Sequence, residues 1–300
     1  MVNKIKKRQI LVIFIGIIAV AIFSISKIRL NSINKRDIDV TKFIQAVDEA
    51  SDNKIQANWK YVCAILGVKE ENKFENISED EIKEVANLFI YKSQDSYKLK
   101  TLDDVMKKMD FSDKQKKKAE KYVNDLEYFG LTPDRLNENT KYAKFIKEIK
   151  SQSIENYKKY KILPSITIAQ AILESGWGES DLSKKFNNLF GIKADPSWQG
   201  DFVTLETSEY NGIKINDKFR AYEEKSQSIA DHGEFLVENK RYENHGVFDA
   251  KTYINQAKAL EEAGYSTVED EDGNKIYAKS LISLIQQYNL QIIDSIAQMK

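Results

Sequence analysis

The hydropathy pattern opens with an uncharged apolar run from Ile10 to Ile25, preceded by Lys4, Lys6, Lys7 and Arg8 and closed by Lys27 and Arg29. At about 1.5 Å per helical residue, such a run is near the short limit for crossing a bilayer. Basic residues on its N-terminal side favour a cytoplasmic tail over 1–9, a transmembrane anchor over 10–26 and an outer location for the rest. A cleaved signal peptide ending at Ala19-Val20-Ala21 is the alternative, although Ile22, Phe23 and Ile25 carry the run past that site. Either reading exports the remainder.

After a polar, basic linker over 27–38, apolar positions recur at helical spacing. Ser78 with Glu81 makes a capping box ahead of Val85, Leu88 and Phe89. Ser112 with Gln115 makes another, predicting a helix that runs to Phe129 and stops at Gly130. Trp59, Tyr61, Val62, Ile65 and Leu66 suit one more buried helix, so Asp39–Gly130 reads as an all-helical module, within a unit drawn over 39–136. Its role is not legible. Glu70 and Glu71 read as solvated surface charges. A second unit spans 137–292, followed by a tail over 293–300. It begins with a Lys-rich amphipathic helix carrying Phe145, Ile146, Ile149 and Ile154. Ser165–Leu173 reads as a buried helix with Pro164 in its first turn and Gly176 as its stop. Asn211-Gly212 predicts a two-residue type I′ turn, which places Glu209 opposite Lys214 and Glu206 opposite Asp217. A helix burying Ile229, Leu236 and Val237, another ending at Gly264, and a last one from Tyr277 complete the pattern. The fold class is mainly α with a small β-hairpin lobe.

Composition narrows the function. Forty-six basic residues balance 46 acidic ones, which argues against a nucleic-acid binder. The single cysteine, Cys63, makes no internal disulfide, and His232 and His245 lack partners at zinc-ligand spacing. Neither histidine is assigned a role, and no metal or cofactor is implied.

The residues arranged for chemistry lie in the second unit. Glu174 falls in the last turn of its helix, where exposed carbonyls disfavour an ionised carboxylate. Ile172, Leu173 and Trp177 add desolvation in the same direction. Both effects raise a carboxyl pKa toward what a proton donor needs near neutral pH. Gln170 shares its face, one turn earlier. Trp177, Phe190 and Trp198 offer rings, and Asn188 an amide, of the kind that hold sugars. On the hairpin, Glu206 and Glu209 point to opposite faces, and the strand pattern alone does not choose between them.

Ala169-Gln170-Ala171-Ile172-Leu173-Glu174-Ser175-Gly176-Trp177-Gly178, then Asn188-Leu189-Phe190-Gly191-Ile192-Lys193, resemble the glucosaminidase domain of glycoside hydrolase family 73. Thr207-Ser208-Glu209-Tyr210, Phe219-Arg220-Ala221-Tyr222, Gly264-Tyr265-Ser266-Thr267 and Tyr277-Ala278 follow in the family's order, so the resemblance covers roughly 141–290. It implies a lysozyme-like, mostly helical domain that cuts the GlcNAc–MurNAc backbone of peptidoglycan as an endo-β-N-acetylglucosaminidase. By resemblance Glu174 is the general acid, Glu209 the second carboxylate and Tyr265 a tyrosine near the cleft. Gln170, Trp177, Asn188, Phe190, Tyr210 and Tyr222 are then expected to line the substrate. The family often runs straight from its Gly-Tyr motif into Tyr-Ala, whereas Val268–Ile276 intervenes here. The expected partners are glycan strands, the membrane through the N-terminal helix, and an unidentified membrane protein for the helical module. Competing readings are a muramidase or lytic transglycosylase on the same polymer, or a non-catalytic wall-binding scaffold.

Overall fold

The computed structural model describes residues 32–209 and 213–299; the apolar run Ile10–Ile25 and Tyr210 lie outside the described residues, as do the side chains of 207–209 and 213–215. Among the described residues no helix is long and apolar enough to cross a membrane.

The first module forms where local signals put it. Helix α1 (Val40–Ser51) is capped by Asp39, α2 (Trp59–Lys69) by Asn58, and α3 (Glu79–Phe89) by the Ser78–Glu81 box. Their apolar faces enclose a core of Phe43, Trp59, Phe74, Ile82 and Tyr122. The module is not all-helical. Strands β1 (Ile90–Ser93) and β2 (Ser96–Leu99) pair as an antiparallel hairpin. Its two-residue loop carries no glycine; Gln94 takes the positive φ of 54° instead, which removed the usual sequence signal. Helices α4 (Leu102–Lys108) and α5 (Asp113–Asp125) follow. The second capping box is present, with the Ser112 amide donating to Gln115, but α5 stops at Asp125 rather than Phe129. Leu126 turns fully into the core, and the chain tightens through successive turns to Phe129. From Ser32 onward the expected linker is docked: Ile33 and Ile38 are buried, and the Ile33 amide donates to Asp125.

The second unit starts with α6 (Pro133–Leu136) and α7 (Lys141–Tyr160). Next comes α8 (Pro164–Ser175), with proline at its first position and Gly176 as a left-handed cap at φ 58°. Helix α9 (Asp181–Phe186) leads through a loop into β3 (Phe202–Glu209) and β4 (Ile213–Arg220). The pairing sets Glu209 against Ile213, Ser208 against Lys214, Glu206 against Asn216 and Leu205 against Asp217. Every cross-strand partner is therefore shifted by one position from the expected register, which removes the Glu209–Lys214 and Glu206–Asp217 pairs. Helices α10 (Lys225–Glu238), α11 (Lys240–Asn244), α12 (Tyr253–Glu262) and α13 (Tyr277–Gln287) complete the shell around α8. Gly233 lets α10 lie directly on α7, since a Cβ there would stand 2.5 Å from the Tyr160 ring. Val237, expected inside, is 44% exposed.

The last residues are not a tail. Helix α14 (Gln291–Gln298) packs between the two units. The Ser165 amide donates to Asp294 at 2.8 Å and its hydroxyl donates to the same carboxylate, so α14 caps the N-terminus of α8 from 129 residues away. At the other end of α14 the Gln56 amide donates to Gln298 at 3.0 Å. Beside it, Asp48 of α1 accepts from the Tyr253 hydroxyl and from the side-chain amides of Gln56 and Gln286.

Both interface carboxylates are buried, and burial pushes them up, Asp48 to about 6 and Asp294 to about 7. The folded chain thus holds protons that the unfolded chain releases near pH 4. These two groups stabilise most below that point, and their contribution falls as pH rises through about 6 and then about 7. A series of thermal melts from pH 4 to 8 should show this downward slope in the wild type and a shallower one in Asp48→Asn.

Candidate active site

Helix α8 is buried along almost its whole length, and Glu174 is where it reaches the surface. The residue as a whole is exposed, yet enough protein crowds its carboxyl that desolvation holds it above the ordinary carboxylate range. The Tyr277 hydroxyl, donating to Oε1 at 3.2 Å, opposes that rise. Leu173 and Trp177, the expected desolvating neighbours, face elsewhere. Leu173 is 41% exposed, and Trp177 sits edge-to-face with Tyr142, Phe145 and Tyr288. Trp177, half-exposed, is held in place by these three rings.

Below Glu174 lies a file of polar and aromatic groups. Gln170, fully buried, donates through Nε2 to the Tyr277 hydroxyl at 3.0 Å. Tyr265 stacks on Tyr277, with ring centroids 5.2 Å apart and planes 19° from parallel. Its hydroxyl stands 3.4 Å from His232 Nε2, and His232 stacks on Phe190 at 3.9 Å. Burial lowers the His232 pKa to about 3, which makes the ring a neutral packing partner. Burial likewise raises the hydroxyls of Tyr265 and Tyr277 well above the ordinary phenol range. The structure thus brings Glu174, Gln170, Tyr265 and Phe190 into one cluster, with Phe190 buried and one face covered by His232. The segment Val268–Ile276 does not disturb this. It folds on itself, Glu269 bridging Lys275, and returns the chain so that Tyr277 meets Tyr265.

The loop after α9 builds the floor of the hairpin. Asn188, buried, donates to the carbonyls of Ile192 and Arg220 and accepts from the amides of Phe190 and Ile192. Its amide is used up in bracing the loop. Arg220 makes a two-bond ion pair with Asp231 and lies over the Trp198 ring at 4.2 Å. Tyr222 donates to Asp231 at 2.6 Å, and with Trp198 lines an open hollow of about 490 Å³. Glu209 is fixed in β3 by its backbone, while its side chain and Tyr210 lie outside the described residues. Tyr277 and His232 are the members of the cluster that carry no role in the sequence reading. Tyr277 was visible as part of a motif, but its hydrogen bond to Glu174 joins positions 103 residues apart. Among the described residues no cluster of three or more His, Cys, Asp or Glu is placed to hold a metal ion.

A family model described as mannosyl-glycoprotein endo-beta-N-acetylglucosaminidase matches residues 150–290, the span that holds Glu174, the hairpin and the tyrosine pair. The chain belongs to this glucosaminidase family of glycoside hydrolases. The chain is 39% identical over 160 residues to "Exo-glucosaminidase LytG" of Bacillus subtilis, covering 51% of the chain and 53% of that relative. It is 37% identical over 131 residues to "Peptidoglycan hydrolase FlgJ" of Vibrio parahaemolyticus, covering 41% and 42%. The crystallised catalytic domain of the autolysin Auto from Listeria monocytogenes matches at 36% identity and a TM-score of 0.46, covering 53% of this chain and 90% of that one. The chain spans about half the length of the curated relatives it matches.

Proposed function

We propose that this chain is a membrane-anchored peptidoglycan hydrolase acting outside the cytoplasm, an endo-β-N-acetylglucosaminidase that cleaves the GlcNAc-β-1,4-MurNAc bond. The observation that carries this reading is Glu174, a carboxyl at the end of a buried helix, raised by desolvation, with a tyrosine on one oxygen. A carboxyl shifted in that direction is better suited to hold a proton and deliver it to a leaving glycosidic oxygen. Family membership and relatives named as a glucosaminidase and a peptidoglycan hydrolase support the substrate class. Glu209 completes the mechanism as the base that activates water on the opposite face of the sugar, an inverting division of labour. Tyr265, half-buried and stacked on Tyr277, shapes the floor beneath Glu174.

The test is to digest purified peptidoglycan, reduce the products and identify their new ends by mass spectrometry. Reduced GlcNAc ends on oligomers of mixed length are expected. Reduced or anhydro-MurNAc ends would refute the linkage. The name of the Bacillus subtilis relative favours a second reading, exo action, which would release small fragments from chain ends only.

A further inference from the structure

The Tyr277 hydroxyl has one proton, two partners in Gln170 and Glu174, and the Tyr265 hydroxyl beside them. Gln170 Nε2 donates to it at 3.0 Å, and it donates to Glu174 Oε1 at 3.2 Å. Gln170 is fully buried and Tyr277 is 3% exposed, so neither reaches solvent to choose another arrangement. The stacked Tyr265 ring holds Tyr277 in plane. Because the amide occupies a lone pair of the hydroxyl as a donor, the hydroxyl proton is directed outward, toward the acid.

We propose that Gln170 and Tyr277 are positioning residues that place the proton of Glu174 on Oε2. A carboxylic acid carries one proton on either of two oxygens. With Oε1 accepting from Tyr277, the proton sits on Oε2, which has no hydrogen-bond partner among the described residues. Reversing the pair would reverse the acid: a Gln170 that accepted from Tyr277 would leave the tyrosine oxygen to accept from Glu174, and the proton would point into the protein. Gln170 therefore acts from below the site rather than as the substrate-lining amide expected of it. This inference rests on Glu174 being the general acid.

The titratable side chains that act on Glu174 among the described residues are Tyr277, from α13, and Tyr265, from the loop behind α12. Both hydroxyls stay protonated through the working range, so the basic limb of the pH–rate profile reports Glu174. Donation from Tyr277 favours the ionised acid, and its loss should raise the limb. In the full chain, Tyr277→Phe is expected to lower kcat/KM about tenfold, one hydrogen bond's worth. It should also move the basic limb upward by about one pH unit. Gln170→Met, which keeps the hydroxyl but removes its orienting donor, should lower kcat at unchanged KM and move the limb the same way by less. A loss of rate with the limb unmoved in both variants would mean a packing role and overturn the inference, as would a downward shift. If Tyr277→Phe does not fold, the Gln170→Met profile alone decides. A Glu174→Gln chain that keeps its activity would remove the acid itself, and the inference with it; an inactive Glu174→Gln beside unmoved limbs refutes the positioning alone.

Discussion

Glu174→Gln is expected to abolish glycan cleavage to within measurement, a loss on the order of 100- to 10,000-fold, with the fold intact. The substitution is nearly isosteric, and the amide can still accept from Tyr277 at Oε1, the contact that anchors the side chain. What it cannot do is supply a proton from the other position. The desolvation that raises the carboxyl in the wild type does not penalise a neutral amide, so stability should stay level or rise slightly. A melting curve run beside a muropeptide assay separates the two quantities. Equal loss of activity and of melting temperature would indicate damage to α8 rather than removal of an acid.

The second large effect is expected at the far end of the same helix. Asp294→Ala removes the acceptor for the Ser165 amide and hydroxyl, leaving donors in the first turn of α8 buried without a partner. Leu163, the residue at the cap position, supplies no side-chain bond of its own. Leaving a buried amide and hydroxyl without their acceptor costs about 2–3 kcal/mol. For a chain of this size that is a fall in melting temperature of roughly 4–12 °C. Asp294→Asn keeps one acceptor oxygen and should recover part of it. If alanine at 294 leaves the melt unchanged, α14 contributes nothing to holding α8 in place.

These two residues also show what a sequence discloses. The helix end that carries Glu174 was legible because everything that marks it is local: Pro164 opens the helix, Gly176 closes it, and apolar residues fill the turns between. The capping boxes at Ser78 and Ser112 were legible for the same reason. Asp294 was not, because its partner is 129 residues away and short polar residues near a C-terminus look like a frayed end. The hairpin at Ile90–Leu99 escaped because Gln94 does the work usually marked by glycine. The hairpin in the second unit was legible, but its register lies one position from the expected one. Trp177 packs against Tyr142, Phe145 and Tyr288, and Phe190 stacks on His232, contacts that no local pattern announces. An aromatic's identity does not say which of its faces is left free.

The place of α14 late in the sequence gives folding an order in time. The Gln56 amide waits for Gln298, and the helix that presents Glu174 waits for Asp294. Synthesis from the N-terminus lets most of each unit fold before residues 291–298 emerge, and the first turn of α8 gains its cap only then. A polypeptide interrupted before Asp294 would therefore hold α8 with its first amides unpartnered.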